Sequence, residues 1–117
     1  MSVNLALVRG VCSSPAEVRT LPSGTTLVVL QVTTRAPDAV AVSVPVVAWD
    51  PPASVAEFDV GDELVALGRV RRRFFRTTGG TASRVEIEAD HVVAARDRRR
   101  VQALLRRAAG ALDEVLE

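Results

Sequence analysis

The sequence predicts an all-β domain: a five-stranded Greek-key barrel with a short helix between its third and fourth strands and an amphipathic helix at its C-terminus. Three observations carry this expectation. From Val3 to Val93 apolar residues recur at period two or in short β-branched runs. Pro, Gly, Ser and Asp break those runs at turn spacing. Only after Asp97 does the apolar spacing change to three and four, the period of a helix.

The first strand is expected over about Val3–Val11. Leu21-Pro22-Ser23-Gly24 then forms a turn, because proline presets φ and glycine accepts a positive one. The second strand covers about Thr25–Thr34 and the third about Val40–Trp49. Asp50-Pro51-Pro52 is expected to open a short helix through Phe58, with Asp50 as N-cap and proline in the first turn. The fourth strand runs from about Glu63 to Phe75, Gly79-Gly80 makes a hairpin tip, and the fifth covers about Ala82–Ala94. From Asp97 to Leu116 the residues Val101, Leu104, Leu105, Ala108, Leu112 and Val115 share one helical face. Five strands with a helix between the third and fourth is the layout of a small OB-type Greek-key barrel.

A chain of 117 residues is one domain's worth, and 48% hydrophobic against 25% charged residues is enough apolar material for a core. Residues 1–95 are expected to form the barrel and residues 96–117 the helix. The longest apolar runs, Leu27–Leu30 and Val44–Trp49, fall far short of the roughly 18 residues that span a bilayer. Met1–Leu7 has neither a basic segment nor a long apolar one, so no signal peptide is expected and the cytoplasm is the expected compartment. A single cysteine, Cys12, and a single histidine, His91, cannot assemble a four-ligand zinc site, so no metal is expected. They read as a packed thiol and a partly exposed strand residue. No nucleophile elbow, phosphate-cradling glycine loop or paired-carboxylate constellation is present, so neither an enzyme nor a cofactor is expected.

Net charge is +1, which leaves no strong global pull toward polyanions. The distribution is more informative. All 15 basic residues are arginine. One cluster is Arg69, Arg71, Arg72, Arg73 and Arg76; a second is Arg96, Arg98, Arg99, Arg100, Arg106 and Arg107. Aromatic residues are confined to Trp49, Phe58, Phe74 and Phe75. Residues of one parity share a face of a strand. In the fourth strand the odd set ends Arg69, Arg71, Arg73, Phe75; in the third the even set Val40, Val42, Val44, Val46, Ala48 is apolar and is expected to face inward, which turns Trp49 outward. Same-face neighbours lie about 6.7 Å apart, roughly twice the 3.4 Å step of a duplex strand, a spacing suited to the phosphates of a stretched single strand. Rings beside such a row form a stacking platform in an electrostatic groove. Opposing readings stand beside this one: a lone tryptophan packed in the core, and an arginine row that is only a solvated face. Phe58 and Phe74 are assigned to the core.

These residues resemble the bacterial single-stranded DNA-binding protein family over about Val3–Ala94. The stretches that carry the resemblance are N-L-A-L-V (Asn4–Val8), P-A-E-V-R-T-L-P-S-G-T (Pro15–Thr25), V-P-V-V-A-W (Val44–Trp49), G-D-E-L-V-A-L-G-R-V-R (Gly61–Arg71) and E-I-E-A-D-H-V (Glu86–Val92). The resemblance implies an OB fold, a homotetramer or homodimer, and sequence-independent binding of single-stranded DNA. Trp49 and Phe75 fall on base-stacking positions of that family. A third such position holds Ser43, the loop Arg35–Ala39 is short and lacks an aromatic, and the chain ends in helical register without the family's acidic, proline- and phenylalanine-containing tip. The resemblance therefore implies a short paralogue with weaker binding, serving as an accessory in replication, repair or recombination.

The C-terminal helix is charged against its own dipole, with Arg98–Arg100 at the start and Asp113, Glu114 and Glu117 at the end. Antiparallel pairing with the same helix of another protomer would set arginines opposite acids; packing of the stripe on its own barrel is the alternative. The expected site is Trp49, Phe75, Arg69, Arg71 and Arg73, with Arg76 adding charge. The rival to single-stranded DNA is a protein-interaction module of a primosome-like assembly with weak nucleic-acid binding; RNA is a third partner class, and other replication or repair proteins remain possible partners.

Overall fold

The structure is a computed structural model that describes residues 2–116. In chain order it contains β1 (Ala6–Cys12), β2 (Glu17–Thr20), β3 (Thr26–Thr34), β4 (Val42–Trp49), one turn of 3-10 helix (Ala53–Glu57), β5 (Glu63–Thr77), β6 (Gly80–Ala94) and α1 (Arg98–Val115). The sheet order is β1-β5-β6-β4-β3-β2, and β1 also pairs with β3, which closes five of the strands into a ring. All pairings are antiparallel except β4 with β6, where Val46 lies beside Ile87 and Val47 beside Glu88. A Greek-key ring with one parallel pair, plugged at one end by a short helical turn, is an OB barrel.

Parity builds the interior. Val28, Leu30 and Val32 from β3, Val46 and Ala48 from β4, and Leu64 and Ala66 from β5 all point inward and are buried. In β6 the inward set changes from Ile87 and Ala89 to Val92, because a bulge between Leu67/His91 and Gly68/Ala89 inserts Asp90 and flips the parity. Val55 and Phe58 close the end of the barrel. Two glycines permit this closure. A Cβ on Gly10 would strike the Thr33 carbonyl where β1 meets β3, and one on Gly68 would strike the backbone of Glu88 and Ala89 at the bulge.

On the outer face α1 lies across the first half of β5. Leu104 and Ala108 bury against Val65, Leu67 and Val93, with Val101 packed alongside. Asp97 caps the helix by accepting from the Arg100 amide at 3.2 Å. The expected apolar stripe therefore divides: Val101, Leu104 and Ala108 pack on the chain's own barrel, while Leu105 and Leu112 stay exposed. Glu117, part of the acidic end, lies outside the described residues, as does Met1 of the N-terminal reading. No helix among the described residues is long and apolar enough to cross a membrane.

Four expectations are corrected. β2 was not anticipated, because all four of its residues are exposed and nothing in them alternates. Asp50 does not cap the turn that follows: Pro52 occupies the cap position, while Asp50 adopts a left-handed φ of 43° and its carboxylate accepts from the Thr26 amide at 2.9 Å. Phe74 is 66% exposed rather than in the core, since β5 and β6 run on past the barrel as a two-stranded arm with nothing beneath their inner parity. Val40 and Val42 do not reach the interior either, since Val40 precedes β4 and Val42 is its first residue, paired with the last of β3. Phe58 is buried as expected.

Candidate nucleic-acid interface

The odd face of β5 carries two surfaces in succession. Its first half, Val65 and Leu67, lies under α1; beyond Leu67 the row continues uncovered as Arg69, Arg71, Arg73 and Phe75. Cross-strand partners share a face, so the register places Glu88, Glu86, Arg84 and Ala82 of β6 beside these four in turn. Trp49 closes β4 on the same side of the sheet. It is 42% exposed, and with Arg71, Arg73 and Glu86 it walls a shallow cleft. The expectation of an outward indole beside the arginine row therefore matches the geometry.

Phe75 is 40% exposed, and the Arg84 guanidinium lies over its ring at 5.6 Å from the centroid. The hairpin arm carries this pair further along the same face. Arg76 is exposed but has the opposite parity, with Arg72 and Phe74, and does not join the row. Ser43 is exposed at the start of β4 and shares a 2.8 Å hydrogen bond with the Thr33 hydroxyl.

Glu86, Glu88, Asp90 and Arg84 on this face were not singled out from the sequence. Glu88 holds both Arg69 (3.0 Å) and Arg71 (2.7 Å), and Asp90 lies 3.7 Å from Arg69. Hydrogen bonds from Arg71 and Arg69 hold the Glu88 carboxyl below its ordinary range, and the same contact raises Arg69. Glu86, only 4% exposed, lies at the base of the cleft. Two of the three arginines in the row are thus already compensated. Arg73 and Arg84 stand directly opposite one another, and among the described residues no carboxylate oxygen lies within 4 Å of either. Like charges so placed repel, and an anion between them would relieve the repulsion. The parity of β6 is the sequence signal that identifies Arg84, Glu86 and Glu88, while Asp90 joins them through the bulge.

Glu88→Gln is expected to release Arg71, and in part Arg69, toward solvent anions. If oligonucleotide binds along this row, the log-log salt slope should steepen by about 0.7 for each guanidinium that turns to a phosphate; a slope equal to wild type would show that the pair is not at the interface. Because the folded-state pKa of Glu88 is depressed, its pairing stabilises the fold above the unfolded carboxylate pKa and is lost as pH falls through the lower folded value. The variant should lose that part of the acid sensitivity.

Elsewhere the chemistry is sparse. Burial, followed by the neighbouring Asp62 and Asp59, pushes the Cys12 thiol up, which leaves it protonated at neutral pH. Among the described residues no group of three or more His, Cys, Asp or Glu side chains is placed to hold a metal.

No family model and no curated protein sequence matches the chain. Among solved structures it is similar to the wild-type single-stranded DNA-binding protein from Thermus aquaticus, with a TM-score of 0.66 and 22% identity. The match covers 79% of this chain and 40% of that one, so the chain spans less than half the length of the protein it resembles. At this identity the likeness is one of fold, and it agrees with the OB barrel expected from the sequence.

Proposed function

We propose that this chain binds single-stranded DNA without sequence preference, through Trp49, Phe75 and the guanidinium groups of Arg71, Arg73 and Arg84, with Arg69 and Arg76 contributing charge. The observation that carries the reading is the cleft in which the exposed Trp49 indole, Arg71 and Arg73 meet on the open face of an OB sheet. A ring offers its π-face to any base, while the guanidinium groups take the phosphates, so neither contact reads sequence. The single-stranded DNA-binding protein that shares this fold supports the same reading. With Ser43 at the third stacking position, affinity is expected to be lower than for a chain with a full set of rings, consistent with an accessory role in replication, repair or recombination in the cytoplasm, without catalysis.

Trp49 is the only tryptophan, so its fluorescence reports a single site. Titration with oligo-dT at low salt should quench it, and the effect should fade as salt rises. Unchanged emission, together with no retention of oligonucleotide, rejects the DNA reading. That result would favour the second reading, docking of another protein, which draws on the exposed Val70, Phe74 and Val85 of the arm.

We further infer a homo-oligomer. Gln102, Leu105, Ala109, Leu112 and Leu116 form an exposed stripe at spacings of three and four on α1, beside the stripe that packs on the barrel. Antiparallel pairing of two such stripes brings Arg106 of each copy toward Asp113 of the other. Leu105→Ser/Leu112→Ser is expected to lower the sedimentation coefficient while leaving the fold intact, since both side chains are exposed. An unchanged assembly state removes the helix from the contact. Substitution is a cleaner test than truncation after Ala95, which would strip the cover from Val65, Leu67 and Val93.

A further inference from the structure

The uncompensated positive charge of this molecule is concentrated on α1 rather than on the strand row. Arg69 and Arg71 share Glu88, whereas among the described residues no carboxylate oxygen lies within 4 Å of Arg98, Arg99, Arg100, Arg106 or Arg107. Of the acids near the start of α1, Asp97 caps the helix, Asp50 accepts from the Thr26 amide and Asp90 faces Arg69, while Glu57 and Asp62 share a cleft with Arg96 and Arg100 but form no ion pair with either. No acidic residue occupies the first turn, where arginines oppose the helix dipole. Such an arrangement is disfavoured in the free protein and relieved by a polyanion.

Trp49 is a wall shared by two clefts. On one side is the cleft with Arg71, Arg73 and Glu86. On the other, Trp49 and the loop Asp50–Pro52 face His91 and Arg100. That second cleft leads into a third, lined by His91, Arg100, Leu104 and Arg107 along the edge of α1. Arg100 and Arg107 are seven residues apart, two turns on one helix edge and about 10.5 Å along the axis. The exposed Leu105/Leu112 stripe lies on a different side of the helix, so the edge stays open in an α1-paired oligomer.

Resting on the single-stranded DNA reading above, we propose that the bound strand does not end at Trp49 but continues past His91 onto α1, where Arg100 and Arg107 each hold a phosphate. The helix then extends the footprint of the barrel, and it supplies free cations where the strand row has spent two on Glu88.

The test compares two full-length double variants with equal loss of charge. Arg100→Ala/Arg107→Ala removes the proposed track; Arg98→Ala/Arg99→Ala removes two arginines that line none of these clefts. On a long oligo-dT the first should lower the salt slope by about 1.4, two phosphates at 0.7 each, and the second should leave it at the wild-type value. Arg100→Lys/Arg107→Lys should restore the slope, which separates charge from folding. A wild-type slope in Arg100→Ala/Arg107→Ala, or equal losses in both alanine variants, overturns the track. Quenching of Trp49 in the wild-type protein reports the parent reading independently: if it is present while the slopes do not differ, only the helix track fails, and if it is absent along with all oligonucleotide retention, both fail.

Discussion

Trp49→Ala is expected to weaken binding of oligo-dT by about 5- to 150-fold, the equivalent of one base stack at about 1 to 3 kcal/mol. The indole is the one large ring at the centre of the interface, with an arginine-lined cleft on each side. Its removal takes away the platform and leaves the phosphate contacts, so the loss should persist at every salt concentration while the salt slope changes little. Trp49→Phe should recover most of the affinity, because stacking needs a π-face and not the indole nitrogen. The measurement is anisotropy of a labelled oligonucleotide, since the variant loses its own fluorophore, with thermal unfolding as the check on folding. Wild-type affinity in a folded Trp49→Ala protein would mean that the bases do not stack there.

Gly68→Ala should have the largest effect on stability. The added methyl group falls on the Glu88 carbonyl and the Ala89 backbone, neither of which can turn aside as a flexible side chain would. Forced overpacking of this kind costs about 1 to 3 kcal/mol and sometimes more, and each kcal/mol lowers Tm by roughly 4 °C in a domain of this size. The collision also displaces Glu88, which holds Arg69 and Arg71, so a change at the bulge propagates to the interface. Gly79→Ala, at the hairpin tip with open space around its Cα, is the control and should unfold at nearly the wild-type temperature. Equal Tm values for Gly68→Ala and wild type would show that the strands at the bulge are not packed this closely.

The five barrel strands were legible because each inward parity must be apolar to leave water, and that requirement writes period two into the chain: Val28-Leu30-Val32 in β3 and Leu64-Ala66 in β5. The terminal helix was legible through its change of period after Asp97. Parity also placed Trp49 and the arginine row on the outer side, since an outward position follows from an inward neighbour.

What the chain could not reveal alone depends on where strands end and what lies across from them. Phe74 has the parity of a core residue and becomes exposed only because the hairpin outruns the barrel. Glu88 meets Arg69 and Arg71 through a cross-strand register that the bulge at Asp90 sets. Arg100 reaches a cleft with Trp49 because α1 folds back over β5 and β6. Periodicity is a local consequence of burial, so one strand records it; pairing between distant segments is a property of the closed barrel, and that closure decides which guanidinium groups are left for a ligand.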